Sequence, residues 1–321
     1  MAAIQRLAER LRAGDLRALA RAISLVEDHS PAARALLSAC FPYTGAARRI
    51  GITGSPGAGK STLVDQLARA FRAQQHRVGI LAVDPTSAFS GGAILGDRIR
   101  MERHHSDPGV YTRSMATRGA LGGLARASAD AATLIEAGGR DRVLIETVGV
   151  GQDEIDIVRL ADATVVVLVP GMGDDVQSIK AGILEIADIF VVNKCDREGA
   201  DRVEKELKAM QSFAMSHGSW VPPVVRTVAS SGQGVDDLAA SLADFDQWLS
   251  RDGRLRERRE HQWAQRLTEM VRSDLLRSLR AHGLDQQELA AHARRIEARE
   301  EDPFVLAQRM VQAVAGGAGD A

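Results

Sequence analysis

Gly54-Ser55-Pro56-Gly57-Ala58-Gly59-Lys60-Ser61 fits the spacing G-x-x-x-x-G-K-[ST], with Thr62 next in the chain. The chemistry such a pattern serves is phosphate binding. Glycines let a backbone loop wrap closely around phosphate oxygens, and the loop N–H groups and the start of the following helix supply positive potential. Lys60 is placed to bridge the outer phosphates of a nucleotide, the Ser61 hydroxyl to hold magnesium, and Thr62 to lie close to the inner phosphate. Magnesium needs a second, acidic ligand. Glu146 ends the apolar part of "RVLIETVG", Asp84 ends "RVGILAVD", and Asp97 stands in "GDRIRM". Ligands bind at the carboxyl ends of parallel strands, which makes Glu146 and Asp84 the first metal-side candidates and Asp97 the third. Gly149 follows Glu146 by three residues and offers an N–H to the terminal phosphate.

A second group of residues speaks to the base. Asn193-Lys194-Cys195-Asp196 follows a buried-strand pattern well downstream of the phosphate loop. Guanine presents an N1–H and an exocyclic amine on one edge, and the Asp196 carboxylate can accept both. Asn193 can bond the opposite edge, and the Lys194 stem can cover the ring face. Adenine lacks that donor pair and would leave a carboxylate unpaired at a cost. After a further strand-like run, Val228-Ala229 stands in "TVASSGQGVDDL", where the Ala229 N–H is placed to meet the guanine oxygen.

These side chains need a scaffold that brings distant loops to one edge. Seven strand-like runs lie between residues 46 and 250: "RRIGITG", "RVGILAVD", "VYTRSMA", "RVLIETVG", "ATVVVLVP", "IFVVNKCD" and "VVRTVA". Several are unbroken Val/Ile/Leu runs, as expected of strands covered on both faces, and helical patterns separate most of them. The expected fold is α/β, a mostly parallel sheet covered by helices. Residues 1–45 read as an N-terminal helical extension, with Asp15 capping a second helix and Ser30-Pro31 starting a third. Residues 251–321 read as a C-terminal helical arm: Trp263, Leu267, Met270, Leu275 and Leu279 share one side of a long helix, and Asp302-Pro303 opens a final one.

The 321 residues include 41 basic and 42 acidic side chains, a balance that argues against a nucleic-acid binder. Cys40 and Cys195 form neither a disulfide framework nor a clustered zinc site, and no apolar run is long enough to span a membrane. A cytoplasmic setting is expected. The Arg-rich start is read as a structural helix rather than a targeting leader, because Glu9 and Asp15 interrupt it. His104-His105 lacks further ligands for a metal site, and the tryptophans read as packing residues.

Taken together, "GITGSPGAGKSTL", "VDPTSAFSGGAILGDRIRM", "TRGALGGL", "IETVGVGQDE", "VPGMGDDVQSIKAG", "VVNKCD" and "TVASSGQGVDDL" resemble the MeaB/ArgK family of P-loop GTPases, which includes MMAA-like proteins. The likeness runs from about residue 46 to 250. It implies a P-loop GTPase domain over 46–250, and a homodimer with residues 251–321 as a dimerisation arm. It further implies a GTP-hydrolysing, magnesium-dependent chaperone that gates adenosylcobalamin loading, protection and repair of an acyl-CoA mutase, methylmalonyl-CoA mutase above all. Adenosylcobalamin would be held by that partner, since the chain lacks a D-x-H-x-x-G motif; an adenosyltransferase is a second candidate partner. By likeness, residues 85–101, 147–156 and 170–180 are switch segments. Gln152 is the nearest water-positioning candidate, although its register departs from that of Ras-like proteins. Hydrolysis is therefore expected to be slow alone, with Lys180 brought toward the phosphates by the partner. An ArgK-type phosphotransferase and a nickel-insertion-like GTPase are the alternatives. Asp196 weighs against an ATP-dependent kinase, and the lack of a Cys/His transfer site weighs against nickel insertion.

Overall fold

A computed structural model of the chain describes residues 2–84, 107–116, 123–147, 157–171, 186–214, 220–281 and 286–317. Its centre is a sheet of seven strands: β1 (Arg48–Gly54), β2 (Val78–Asp84), β3 (Val110–Ala116), β4 (Arg142–Thr147), β5 (Ala163–Leu168), β6 (Ile189–Asn193) and β7 (Val224–Thr227). They lie side by side in the order β3-β2-β4-β1-β5-β6-β7, and every neighbouring pair is parallel.

The apolar runs are continuous because both faces are covered. All six residues of β5 are buried. Val165 and Val167 face a core built with α4 (Lys60–Ala73), while Val166 and Leu168 face one built with Leu207 of α6 (Ala200–Ala214). The α4 side is completed by α7 (Val235–Ser250), which brings Leu238, Leu242 and Phe245. Across the β2–β4 end, the second face is closed by α5 (Gly123–Ala137) and three N-terminal helices: α1 (Ala2–Arg12), α2 (Leu16–Glu27) and α3 (Pro31–Cys40). Asp15 caps α2 by accepting from the Arg17 and Ala18 N–H groups, and Ser30 caps α3 with Pro31 in its first turn. Trp220 and Trp248 pack on Phe245, with ring centroids 4.9 and 5.7 Å from it. Trp263 departs from the packing expectation: it is 39% exposed.

The chain forms two compact units, Met1–Arg259 and Glu260–Ala321. Helix α8 (Arg254–Ala281) starts in the first, and the second contains α9 (Gln286–Glu297) and α10 (Pro303–Gly317). Asp302 caps α10 through the Phe304 N–H at 2.8 Å. Among the described residues, no helix is long and apolar enough to cross a membrane.

The amino ends of the central strands are tied by buried carboxylates. Asp162, just before β5, accepts from the Arg49 N–H at 2.9 Å and from Arg259 Nε and Nη2 at 2.7 and 2.8 Å. Asp188, just before β6, accepts from the Thr164 N–H at 2.7 Å and from Arg258 Nη1 and Nη2 at 3.0 and 2.7 Å. Glu136 accepts from the Gly45 and Ala47 N–H groups and from Arg49 Nη2. Each bond joins segments far apart in sequence, so the strand order and the root of α8 are fixed together.

Burial raises the pKa of Asp162, but the Arg259 hydrogen bonds and charge outweigh it and hold the carboxyl below its ordinary value. Its stabilising contribution is therefore present above the ordinary carboxylate pKa of about 4 and lost as pH falls through the depressed folded value. Arg259→Ala leaves that carboxylate buried without its guanidinium and is expected to cost about 3 kcal/mol in urea unfolding at pH 7. A loss below about 1 kcal/mol would show that the pair acts as a weak surface bridge.

Candidate nucleotide site

The site lies at the carboxyl ends of β1, β4 and β6. The chain leaves β1 at Gly54, turns through Ser55–Ala58 and enters α4 at Lys60. Two glycines are required by geometry. Gly54 has φ 136°, and a β-carbon there would lie 2.1 Å from the Val167 carbonyl oxygen. Gly59, the N-cap of α4, has φ 87°, and a β-carbon would lie 2.5 Å from Asn193 Nδ2. Any larger residue would strain the loop and push away the side chain that braces it.

Lys60 is 6% exposed, and its Nζ donates to the carbonyl oxygens of Gly54 at 2.6 Å and Ser55 at 3.0 Å. The ammonium is thereby folded back over the loop. The first N–H groups of a helix have no intrahelical carbonyl partners, so Lys60, Ser61 and Thr62 also bring the positive end of α4 to this point. Ser61 Oγ donates to Glu146 Oε1 on β4. The register makes this possible: Glu146 pairs with Ile52 of β1 and Ala82 of β2. A hydroxyl and a carboxylate meeting beside a phosphate loop are hard oxygen donors of the kind magnesium takes, so these residues fit that ion. Asp84 ends β2, the strand beside β4. One residue past Glu146, the buried Thr147 hydroxyl donates to Thr53 of β1 at 2.9 Å.

The base-side residues converge through one amide. Asn193, 2% exposed, ends β6. Its Nδ2 donates to the Ala58 carbonyl oxygen at 2.8 Å; its Oδ1 accepts from the Thr227 hydroxyl and the Ala229 N–H, both at 3.0 Å. The Ala229 N–H that the sequence assigns to the guanine oxygen is thus bonded to Asn193 here, while Nδ2 retains a second hydrogen for a base edge. Lys194 has φ 56° and donates from Nζ to the Gly57 carbonyl oxygen at 2.8 Å, so its stem spans the two loops. The Cys195 N–H donates to Thr227 O at 3.1 Å, and the Val228 N–H donates to Gln233 O at 3.0 Å to close the following loop. Asp196 is exposed.

The structure therefore joins Ala58, Asn193 and Ala229, with Val228 next to Ala229 and bonded to Gln233 instead, reaches Gly57 through Lys194, and joins Ser61 to Glu146 on the phosphate side. Asp97, Gly149, Gln152 and Lys180 lie outside the described residues. Thr227 was missed in sequence; a hydroxyl ending a strand, next to a base loop, was the available signal.

Residues 19–283 match the family described as Methylmalonyl Co-A mutase-associated GTPase MeaB. A relative in Pyrococcus abyssi, named as a GTPase, is 47% identical over 317 residues, 98% of each chain. The mitochondrial methylmalonic aciduria type A homolog of Mus musculus is 35% identical over 252 residues, 77% of this chain and 61% of its own. The crystal structure of a LAO/AO transport system kinase superposes with a TM-score of 0.74 at 26% identity, covering 98% of both chains.

Replacing the Asp196 carboxylate by an amide removes an acceptor and adds a donor facing the guanine N–H groups. Asp196→Asn is expected to weaken GTP binding roughly a hundredfold and leave ATP binding unchanged, as read by competition titration. Equal affinity of the wild type for GTP and ATP would overturn the guanine assignment.

Proposed function

The chain belongs to the MeaB family of P-loop GTPases, and on that premise we propose that it is a GTP-driven chaperone of an adenosylcobalamin-dependent acyl-CoA mutase, most directly methylmalonyl-CoA mutase. Its reaction is the hydrolysis of GTP to GDP and phosphate. In this reading the chaperone gates cofactor loading, protects the loaded mutase and assists its repair in the cytoplasm. Adenosylcobalamin is held by the mutase, and an adenosyltransferase is a further candidate partner. The family description and the name of the mouse relative support the mutase as client.

The observation that carries the reading is the Asn193 amide, which ties a phosphate loop to a guanine loop. Phosphoryl transfer needs charge neutralisation and a placed water more than covalent help. Lys60 supplies the first: phosphate oxygens replace the Gly54 and Ser55 carbonyls as partners of its ammonium. Ser61 and Glu146, with Asp84, are the residues that would hold magnesium, whose role when bound is to neutralise charge on the outer phosphates. Asp196 selects guanine and the Lys194 stem covers the ring. Gly149 senses the terminal phosphate. Gln152 is not in the register of an efficient water-positioning residue, so turnover is slow until the mutase brings Lys180 toward the phosphates. The segments around Gly149 and Lys180 then relax when the phosphate leaves, and the mutase senses the change.

The same reading makes the protein a homodimer through residues 251–321. Supporting it, Trp263, Leu267, Val271 and Leu275 recur every four residues along α8 and are 39%, 59%, 50% and 50% exposed. An apolar stripe of this kind is a surface for another helix.

Single-turnover GTP hydrolysis with and without a candidate mutase tests the proposal. Wild type is expected to be accelerated at least tenfold by its client, and Lys180→Ala to lose most of that gain while keeping its slow basal rate. No acceleration by any adenosylcobalamin-dependent mutase would contradict the chaperone reading, and a phosphorylated small-molecule acceptor in place of free phosphate would establish a phosphotransferase.

A further inference from the structure

Arg140 is among the largest fully buried side chains of the molecule, at 2% exposure. It stands in the turn between α5 and β4, at the end of the sheet opposite the nucleotide site. Its Nη1 donates to the Gly138 carbonyl oxygen at 2.7 Å within the same turn. Among the described residues, neither Nε nor Nη2 has a hydrogen-bond partner. A guanidinium does not readily lose its proton, and burying one with two of its nitrogens lacking acceptors is expensive. Its neighbours deepen the problem. Burial first, and then the like charge of Arg77, lower the Arg140 pKa to about 10. The ring that flanks it belongs to Tyr111, with its centroid 5.9 Å from Cζ.

The two unsatisfied donors are not scattered. Nε and Nη2 lie on the same edge of the guanidinium and point in parallel, the fork that accepts two oxygens of one carboxylate or phosphate. A second cation lies close by. Apart from chain neighbours, the described atoms within 4 Å of the β-carbon positions of Gly14, in the α1–α2 turn, and Gly139, beside Arg140, belong to the Arg77 guanidinium, the nearest at 3.4 and 3.3 Å. Arg77 itself is exposed. An exposed cationic side chain thus lies against two glycines, one of them next in the chain to Arg140, whose buried guanidinium has an unused fork.

We propose that Arg140 and Arg77 form a binding site for a small oxyanion of the phosphate or carboxylate class. The oxyanion is received on the Nε/Nη2 edge of Arg140 and covered by Arg77. The site is separate from the phosphate loop and does not depend on the reading of the nucleotide site. It makes the stability of this end of the core sensitive to anion concentration, because the ligand neutralises a buried charge that has two donors without acceptors among the described residues.

Thermal melting of the full chain, saturated with GDP so that the phosphate loop is filled, tests the site. Inorganic phosphate and acetate are titrated separately at constant ionic strength, with chloride as the reference. Wild type is expected to show a saturable rise in melting temperature. A response to phosphate alone identifies that class, and a response to acetate identifies carboxylates. Arg140→Met keeps the length and apolar contacts of the stem and is expected to abolish the rise. Arg77→Ala, at an exposed position, is expected to shift its midpoint to at least fivefold higher concentration. Absence of a saturable rise in wild type overturns the proposal, as does an equal rise in Arg140→Met. If Arg140→Met does not fold, Arg77→Ala decides, and an unchanged midpoint is then the contrary result.

Discussion

The carboxamide of Asn193 is the constraint on which the nucleotide end of the molecule depends. It is buried, and it holds the Ala58 carbonyl of the phosphate loop, the Thr227 hydroxyl at the end of β7 and the Ala229 N–H of the base loop. An unpaired polar group at this depth costs more than its bond contributes when made, so the three partners are held in register or all are disturbed. The requirement reaches back into sequence. Gly59 lacks a side chain partly because Asn193 Nδ2 occupies that space. Asn193 faces Thr227 because β6 and β7 pair in parallel in that register. The loop proposed to bind phosphate and the loop proposed to read the base are thereby one object.

The opposite end of the sheet is organised by charge rather than by amides. Asp162 and Asp188 each precede a strand, each accept a backbone N–H from the neighbouring strand, and each take a bidentate arginine from the first turns of α8. The balance differs between them. At Asp188 burial dominates over Arg258 and raises the carboxyl pKa; at Asp162 the pull of Arg259 prevails. Arg259 also donates to the Gly45 and Ala47 carbonyls ahead of β1, so one side chain locks three chain segments. Buried pairs of this kind are poor sources of net stability but strong sources of specificity in strand order, since any other arrangement leaves a charge exposed to an apolar core.

Much of this was legible in the chain. The central strands were marked by β-branched apolar runs, because strands covered on both faces cannot hide their composition, whereas the edge strands β3 and β7 carry Arg113 and Arg226 and were marked more weakly. The caps at Asp15, Ser30 and Asp302 were legible too, since a side chain bonding its own following N–H groups is a local event. The phosphate and base motifs were read from their spacing together with the strand patterns that precede them. Other features left no local trace. The strand order is set by which faces the helices cover. The Arg259–Asp162 pair joins residues 97 positions apart. Asn193 was read as a base contact, and its bracing role emerged only when Ala58 and Ala229 were brought beside it. Arg140 stands in a turn, and nothing in its neighbours in sequence announces that it is buried.

The claim that the phosphate and base loops form one unit is tested most directly with a ligand that has no base. Affinity for inorganic triphosphate should be compared in wild type and Asn193→Ala by calorimetry with magnesium present. If the amide braces the phosphate loop through Ala58, the substitution weakens triphosphate binding by at least tenfold although no base is present to be read. An unchanged triphosphate affinity, with only GTP binding impaired, would show that Asn193 serves the base alone and that the loops act separately.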